Sequence, residues 1–405
     1  MSSHETSPEA VFGLSRLIDP VEPELFLRDH WEKEPLHIER DAPDHYGDLL
    51  TLDDVDRLLM MAGPGFETIR VVVDGEETPI EAMAQRGPHG RANTLEAIYD
   101  HYRRGSTVVL NSLDDRWAPL QRLTHALGAE LGAGFQVNVY LTPAGKAQGF
   151  KPHYDTHDVL VAQVHGSKQW RLYGAPYELP LAGRPKFGDE IPGDAVPERE
   201  LTLKRGDFLY LPRGVVHAAT SNDEASVHLT IGVHSLRWAN VLQSAMEKLF
   251  DEDVRFRQGV PAGLAGDEDI QRAAVERLRQ LVGVLQEGLS AERAIEETVT
   301  QSVSVNSPSL GGHLLDLERV RDLTPATPVR RRPGVVSHTA VTDTRVTVAF
   351  HNKSVALPRQ VEREVRWLAG HQGGAFSAAD LPGRLDQPGR MLLLQTFLRE
   401  GLLTF

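Results

Sequence analysis

Near the middle of the chain the sequence runs Val159-Leu160-Val161-Ala162-Gln163-Val164-His165-Gly166-Ser167-Lys168-Gln169-Trp170-Arg171-Leu172. Two runs rich in apolar and β-branched or aromatic residues flank a Gly-Ser turn, which predicts a β-hairpin. From Thr107 to His234 similar short runs of valine, leucine and tyrosine alternate with glycine, proline and aspartate. Many short strands separated by turn residues are typical of a sandwich or barrel, which is the fold we predict for this region.

Helices are predicted around this β region. One helix of about residues 117–131 interrupts the strands, and residues 239–249, 268–289 and 291–303 carry apolar residues three and four apart. A proline-punctuated, basic segment at 323–334 is typical of a linker. Beyond it the expected order is strand, helix, short helix, helix and strand, which is compatible with a small winged-helix domain.

Composition and charge exclude several kinds of protein. Of the 405 residues 40% are apolar and 25% charged, as in soluble globular proteins, and no run approaches the ~18 apolar residues of a membrane-spanning helix. The N-terminal residues have neither the basic nor the apolar region of a secretory signal. The chain contains 0 cysteines, which excludes disulfides and thiolate chemistry. We therefore expect a cytoplasmic protein that does not bind membranes.

The charge balance also argues against nucleic acid as a partner. The chain has 43 lysines and arginines against 57 aspartates and glutamates, a net charge of −14, so its surface repels polyphosphate. The C-terminal helix of residues 390–399 is mostly apolar, whereas a helix that recognises bases needs several polar side chains. We expect no direct nucleic-acid binding. The alternative is a regulator in which the barrel is a sensor and the winged helix contacts nucleic acid.

Three side chains from two distant segments form a candidate metal site. His153 and Asp155 precede the strand of residues 159–164, and strand alternation would place both on one face. His217 begins a strand after the tight turn that ends the segment 206–214. Two imidazoles and one carboxylate on one face of an octahedron leave three open positions, as in non-haem iron oxygenases. An isolated His-x-Asp pair is usually structural, but the two elements together favour a metal site.

Two more residues belong to this prediction. Lys168 starts the return strand of the hairpin, and a lysine is by default exposed. If the barrel holds iron, an oxygenase needs a cation for the remote carboxylate of 2-oxoglutarate, and Lys168 is the best candidate. His157 has the same orientation as the candidate ligands but lies ~7 Å beyond Asp155, so we expect it to line the pocket.

Together these motifs resemble the JmjC-type ribosomal oxygenases, also called cupin-4 proteins. The similarity extends over residues 138–145, 152–155, 166–171, 207–217 and 226–231, and residues 26–36 are similar to the opening motif of the family. The order of barrel, helical region and winged helix also matches, so the resemblance covers most of the chain.

The resemblance implies an α+β multidomain architecture. Residues 1–236 would form a catalytic double-stranded β-helix (a JmjC/cupin jelly roll) with an N-terminal helical elaboration. Residues 237–322 would form a helical dimerisation region, and residues 333–405 a winged-helix-like domain. The implied protein is an Fe(II)- and 2-oxoglutarate-dependent hydroxylase that acts as a homodimer on a protein substrate, which in this family is a ribosomal protein.

By motif position the resemblance also implies roles for single residues. His153, Asp155 and His217 would bind the iron, and Lys168 would bind the distal carboxylate of 2-oxoglutarate. Three others would line the cosubstrate and substrate pocket: Asn138, Tyr140 and Ser226. For Tyr140 the alternative is an aromatic residue that only packs inside the barrel.

The hydroxylated residue stays open at this point. Family members hydroxylate arginine in one bacterial branch and histidine in eukaryotic branches. Lys168 matches the histidine-directed branch, because the arginine-directed branch has arginine there. Demethylation of methyl-lysine is a variant of the same reaction, and a metal-dependent cupin reaction without 2-oxoglutarate is a further alternative.

Overall fold

The computed structural model describes residues 12–61, 68–73, 75–78, 89–145, 147, 149–182, 195–304 and 310–405. Contacts within the chain separate two units, Met1–His234 and Ser235–Phe405. No helix among these residues has the length and apolarity needed to cross a membrane.

The first unit contains five helices and eleven strands among its described residues. The helices are α1 Leu14–Leu17, α2 Pro23–Asp29, α3 Leu52–Met60, α4 Gly90–Arg103 and α5 Ala118–Leu131. The strands are β1 Leu36–Ile38, β2 Ile69–Val73, β3 Glu76–Thr78, β4 Thr107–Leu110, β5 Gly134–Thr142, β6 Asp158–His165, β7 Ser167–Leu172, β8 Arg199–Lys204, β9 Phe208–Leu211, β10 His217–Ser221 and β11 Ser226–His234.

These strands form two antiparallel sheets. The larger has eight strands in the order β1-β9-β6-β11-β5-β4-β2-β3, and the smaller has three in the order β10-β7-β8. The expected β-rich sandwich or barrel is therefore confirmed. The predicted β6–β7 hairpin is wrong, however, because the two strands belong to different sheets. Gly166 is the corner between them: its φ is +59°, and a Cβ there would lie 2.0 Å from the carbonyl oxygen of Ala225.

Strand alternation gives the large sheet two chemically different faces. On β5, Val137, Val139 and Leu141 join a core with the N-terminal helices. The alternate residues of β5, among them Asn138 and Tyr140, therefore face the opposite way, into the barrel. On that side a second apolar cluster joins the two sheets, with residues Val159, Val161, Trp170, Leu172, Leu201, Leu203, Leu209, Leu211 and Val215.

The N-terminal segment is anchored to this barrel by regular local structure. Thr51 and Asp54 form a capping box at the start of α3, because the Asp54 backbone N–H donates to Thr51 Oγ1 and the Asp54 carboxylate accepts from the Thr51 N–H. Strand β1 extends the large sheet by pairing with β9, with Leu36 opposite Tyr210. The N-terminal segment thus reaches the sheet that carries the candidate site.

The second unit has six helices and five strands among its described residues. The helices are α6 Trp238–Glu252, α7 Glu268–Gly288, α8 Ala291–Ser304, α9 His313–Arg319, α10 Glu362–Gly370 and α11 Gln387–Glu400. The strands are β12 Arg330–Arg331, β13 Ser337–Val341, β14 Arg345–Phe350, β15 Lys353–Pro358 and β16 Leu403–Thr404. Strands β13, β14 and β15 form one antiparallel sheet.

The helices of this unit differ in how much apolar surface they bury. Helix α11 buries Leu393, Leu394, Phe397 and Leu398 in a core with the small sheet. Helices α6 and α7 have no buried residue. The apolar composition of α11 is therefore explained by its place in a core.

Candidate metal and cosubstrate site

His153, Asp155 and His217 converge as predicted. One donor atom from each lies within 4.8 Å of the other two, and His217 is buried while the others are half-buried. The expectation that strand alternation places His153 and Asp155 on one face is wrong, because residues 154–157 are not a strand. Instead His153 forms an isolated bridge with His217, in which each backbone N–H donates to the other's carbonyl, at 3.1 Å and 2.8 Å.

Both imidazoles are oriented for metal binding. The Nδ1 of His153 lies 2.8 Å from the carbonyl oxygen of Lys151, and that of His217 lies 3.0 Å from the carbonyl oxygen of Val215. A carbonyl only accepts, so each Nδ1 carries the proton and each Nε2 keeps its lone pair. The Nε2 of His217 lies 3.8 Å from Asp155 Oδ2. Two nitrogens and one carboxylate oxygen are therefore presented together, which is the donor set of a facial iron triad.

Burial keeps one of these imidazoles neutral. Desolvation, followed by the neighbouring His153, holds the pKa of His217 well below its usual value. Metal binding requires the neutral imidazole, so this environment favours the form that binds a metal. The residues present thus fit a divalent iron ion.

Lys168 lies inside the barrel, although an isolated lysine is normally exposed. It is 4% exposed, and its Nζ donates to Thr142 Oγ1 at 3.0 Å, which in turn lies 3.1 Å from Thr107 Oγ1. Burial lowers the pKa of Lys168 to about 7. Within the described part of the chain no ion pair of Lys168 with an acidic side chain is found. A buried ammonium group without an acidic partner among the described residues can form an ion pair with the carboxylate of a ligand.

An aromatic wall, formed by Tyr140, Trp170 and His228, lies beside both Lys168 and the candidate ligands. The ring of His228 stacks on Tyr140 with centroids 4.9 Å apart and an interplanar angle of 7°, and Trp170 packs edge-on against it at 5.6 Å. Trp170 also lies 5.8 Å from the His217 ring. Burial, followed by the charge of Lys168, lowers the pKa of His228, so this imidazole is neutral. Such a wall restricts water in the space between cation and ligands.

His228 and Trp170 are parts of this site that were not predicted from the sequence. Alternation on β11 was the available signal, because His228 follows Ser226 by two residues and shares its face. For Tyr140, burial and then the nearby Asp155 raise the pKa to about 12, so its hydroxyl stays protonated. Tyr140 therefore both packs in the wall and offers a hydroxyl.

Asn138, Ser226 and His157 have defined neighbours. Asn138 Oδ1 accepts from the Ser112 backbone N–H at 3.0 Å, and Ser226 Oγ accepts from Gln163 Nε2 at 2.8 Å. The His157 ring lies beside Gly232, where a Cβ would approach it to 3.1 Å. His157 is not part of the three-residue cluster found among the described residues.

Comparisons with known proteins identify the domain that contains the candidate site. Residues 115–241 match a family model described as the JmjC domain. The chain is 32% identical over 254 residues to the bifunctional lysine-specific demethylase and histidyl-hydroxylase NO66 of Drosophila persimilis. It is 34% identical over 262 residues to ribosomal oxygenase 1 of Danio rerio. These matches cover 61% and 60% of this chain but only 36% and 45% of those proteins.

Solved structures show the same fold. A crystal structure of the Escherichia coli ribosomal oxygenase YcfD superposes with a TM-score of 0.54 at 15% identity, over 95% of this chain and 98% of YcfD. YcfD in complex with cobalt and 2-oxoglutarate superposes with a TM-score of 0.51 at 14% identity. Fold, family model and sequence relatives agree: residues 115–241 match the JmjC domain, and the chain is similar to JmjC-type ribosomal oxygenases.

Proposed function

We propose that this protein is an Fe(II)- and 2-oxoglutarate-dependent dioxygenase that hydroxylates a side chain of a ribosomal protein. The observation that carries the proposal is the pairing of two features inside one barrel. A His-Asp-His cluster offers two nitrogens and one oxygen. Beside the aromatic wall, a buried lysine offers its ammonium group to a carboxylate. When bound, the iron couples oxidative decarboxylation of 2-oxoglutarate to hydroxylation of a C–H bond.

The residues of the candidate site have separate roles in this proposal. His153, Asp155 and His217 occupy one face of the metal and leave the other positions open. Lys168 binds the distal carboxylate of the cosubstrate, and the hydroxyl of Thr142 holds the ammonium group in place. Tyr140 lies where its hydroxyl contacts cosubstrate or substrate, and Asn138 and Ser226 line the same face of the sheet.

We propose histidine, ahead of arginine, as the hydroxylated residue. Lys168 stands where the histidine-directed branch has lysine, and the Drosophila persimilis relative is named as a histidyl-hydroxylase. That relative is also named as a lysine-specific demethylase. A net charge of −14 suits a basic protein substrate, since opposite charges steer association.

The direct test uses purified protein with Fe(II), 2-oxoglutarate and a mixture of ribosomal proteins from cells that lack this gene. We expect succinate to form and mass spectrometry to find one oxygen atom added to one histidine. Oxygen on arginine would change the substrate assignment, and loss of methyl groups from lysine would indicate demethylation. If the formation of succinate did not depend on added 2-oxoglutarate, the proposal would be contradicted.

We also propose that the protein is a homodimer that uses helix α7. Val275, Leu278 and Val282 are 49%, 62% and 52% exposed, and their spacing places them on one stripe of the helix. Replacing Leu278 by glutamate is expected to shift the protein to monomers in sedimentation experiments, because a charge would enter the apolar contact. Gln280→Glu, on another face of α7, is the matched control and is expected to stay dimeric. A Leu278→Glu protein that remains dimeric would exclude this stripe.

The remaining assignments are proposals of the same kind. We propose that residues 333–405 are a winged-helix-like domain, on the order of their strands and helices. Its helix α11 uses four apolar residues in the core, which supports a structural role for that helix. Division of the chain into a catalytic region 1–236 and a helical region 237–322 is supported by the boundary found near His234. We propose the cytoplasm as its location.

A further inference from the structure

A buried ionic network lies behind the candidate ligands. Arg213 Nη1 donates to Glu32 Oε1 and, at 2.8 Å, to Asp158 Oδ2. The Arg213 backbone N–H also donates to Asp158 Oδ1, at 3.3 Å. The side chains of Arg213 and Asp158 are 6% and 0% exposed. Two carboxylates, the buried Asp158 and the half-buried Glu32, thus share one buried guanidinium. An unpaired charge at Arg213 or Asp158 would be strongly disfavoured.

The network connects the two segments that carry the ligands. Asp158 lies three residues after Asp155, and Arg213 lies four residues before His217. Between them, the Gly214 backbone N–H donates to the carbonyl oxygen of Asp155 at 3.0 Å. A movement of Arg213 therefore shifts the loop that leads to His217 relative to the segment of Asp155.

Glu32 brings a third segment, from the N-terminal part of the chain, to the same place. Its backbone N–H donates to the hydroxyl of Tyr210 at 2.8 Å, and that hydroxyl donates to Asp158 Oδ1 at 3.0 Å. Trp31 stacks on Tyr210 with an interplanar angle of 5°. Glu32 has a φ of +57°, a left-handed conformation that is uncommon for residues other than glycine. Surrounding contacts therefore hold Glu32 in an otherwise disfavoured backbone state.

We propose that Glu32 and Arg213 are positioning residues, through which the N-terminal segment holds Asp155 and His217 at the separation that a metal requires. The inference rests on the proposed function, since it presumes a metal at the His-Asp-His cluster. Groups that orient metal ligands typically change metal affinity by about 10–100-fold when they are removed. A network that served stability alone would leave metal affinity and ligand geometry unchanged.

The test is a titration of the full-length protein with Co(II), followed by visible absorption. Glu32→Gly removes the carboxylate and suits the left-handed backbone, so it adds no strain. We expect it to bind Co(II) about 10-fold more weakly than the wild type and to show a changed absorption spectrum. Glu32→Gln keeps an oxygen acceptor without the charge, so its affinity is expected to lie between the two.

Arg40→Ala is the matched control. Arg40 also ties the N-terminal segment to the barrel, but at the turn between β8 and β9, where its guanidinium donates to the carbonyl oxygen of Gly206 at 2.9 Å. We expect it to lower the melting temperature and to leave the affinity and spectrum of Co(II) unchanged.

Three results would overturn the inference. The network would have only a structural role if Glu32→Gly and Glu32→Gln kept the wild-type affinity and spectrum. The same would follow if Arg40→Ala lost as much Co(II) affinity as they do. A wild-type protein that binds no Co(II) would overturn the proposed function and this inference with it. The first two results leave the proposed function intact, so the two failures are distinguishable.

Discussion

Replacement of His153 by alanine is expected to abolish both metal binding and turnover. His153 supplies one of three donor atoms in the cluster, and its backbone also bridges to His217, so no other described side chain can take its place in that geometry. The loss should exceed the ~10–100-fold that follows from removing a group that only orients a ligand. Asp155→Ala should have the same effect, because it removes the single carboxylate of the triad.

The measurement is retained iron per protein chain, together with succinate formation. His157→Ala is the matched control, since His157 is a half-buried histidine close in sequence that lies outside the cluster. It is expected to keep its iron. If the His153→Ala protein retained wild-type iron and activity, the assignment of the triad would be wrong. If His157→Ala lost iron equally, the pocket rather than the triad would be the cause.

The barrel and the cluster of His153, Asp155 and His217 could be predicted from local sequence. The β-rich region was predicted from short runs of strand-forming residues between turn residues, because such patterns depend only on neighbours in the chain. His153 and Asp155 were recognised from their chemistry even though their segment is not a strand. The error had little consequence because a short loop bonded to the backbone of His217 brings the same donors together.

Long-range pairing could not be predicted in the same way. Strands β6 and β7 are adjacent in sequence but belong to different sheets, since the turn at Gly166 changes the direction of the chain. The burial of Lys168 and the contact of Glu32 with Arg213 depend on which distant strands meet. A single sequence contains no local pattern for such contacts, because each partner alone resembles an ordinary surface charge.

Replacement of Lys168 by methionine is expected to weaken 2-oxoglutarate binding and, at the same time, to stabilise the protein without ligands. The ammonium group is the buried cation beside the aromatic wall, and loss of one partner of a buried ion pair costs about 3–5 kcal/mol, roughly a hundredfold or more in affinity. Among the described residues, the hydrogen-bond partner of that cation is the hydroxyl of Thr142. Methionine has a similar shape and no charge, so it removes the cost of burial.

The pH dependence gives this prediction a second measurement. Burial lowers the pKa of Lys168 to about 7 from the ordinary value of 10.5. Below pH 7 both the folded and unfolded states hold the proton, so the burial cost is present in full. Between pH 7 and pH 10.5 only the unfolded state holds the proton of Lys168. The free energy of unfolding therefore increases as the pH rises through this range. The stability advantage of Lys168→Met should therefore be largest below pH 7 and shrink towards pH 10.5.

The affinity of the wild type for 2-oxoglutarate should fall as the pH rises, whereas its stability rises, because the cosubstrate needs the charged ammonium group. Above pH 7 binding must take up a proton, so the affinity of the wild type falls as the pH rises, whereas Lys168→Met has no such dependence on this group. Calorimetric titration with 2-oxoglutarate and chemical unfolding measure the two effects. Lys204→Met, at an exposed lysine on β8, is the matched control and should change neither. Unaltered cosubstrate affinity in Lys168→Met would reject its role, since a buried cation that binds no carboxylate would only reduce stability.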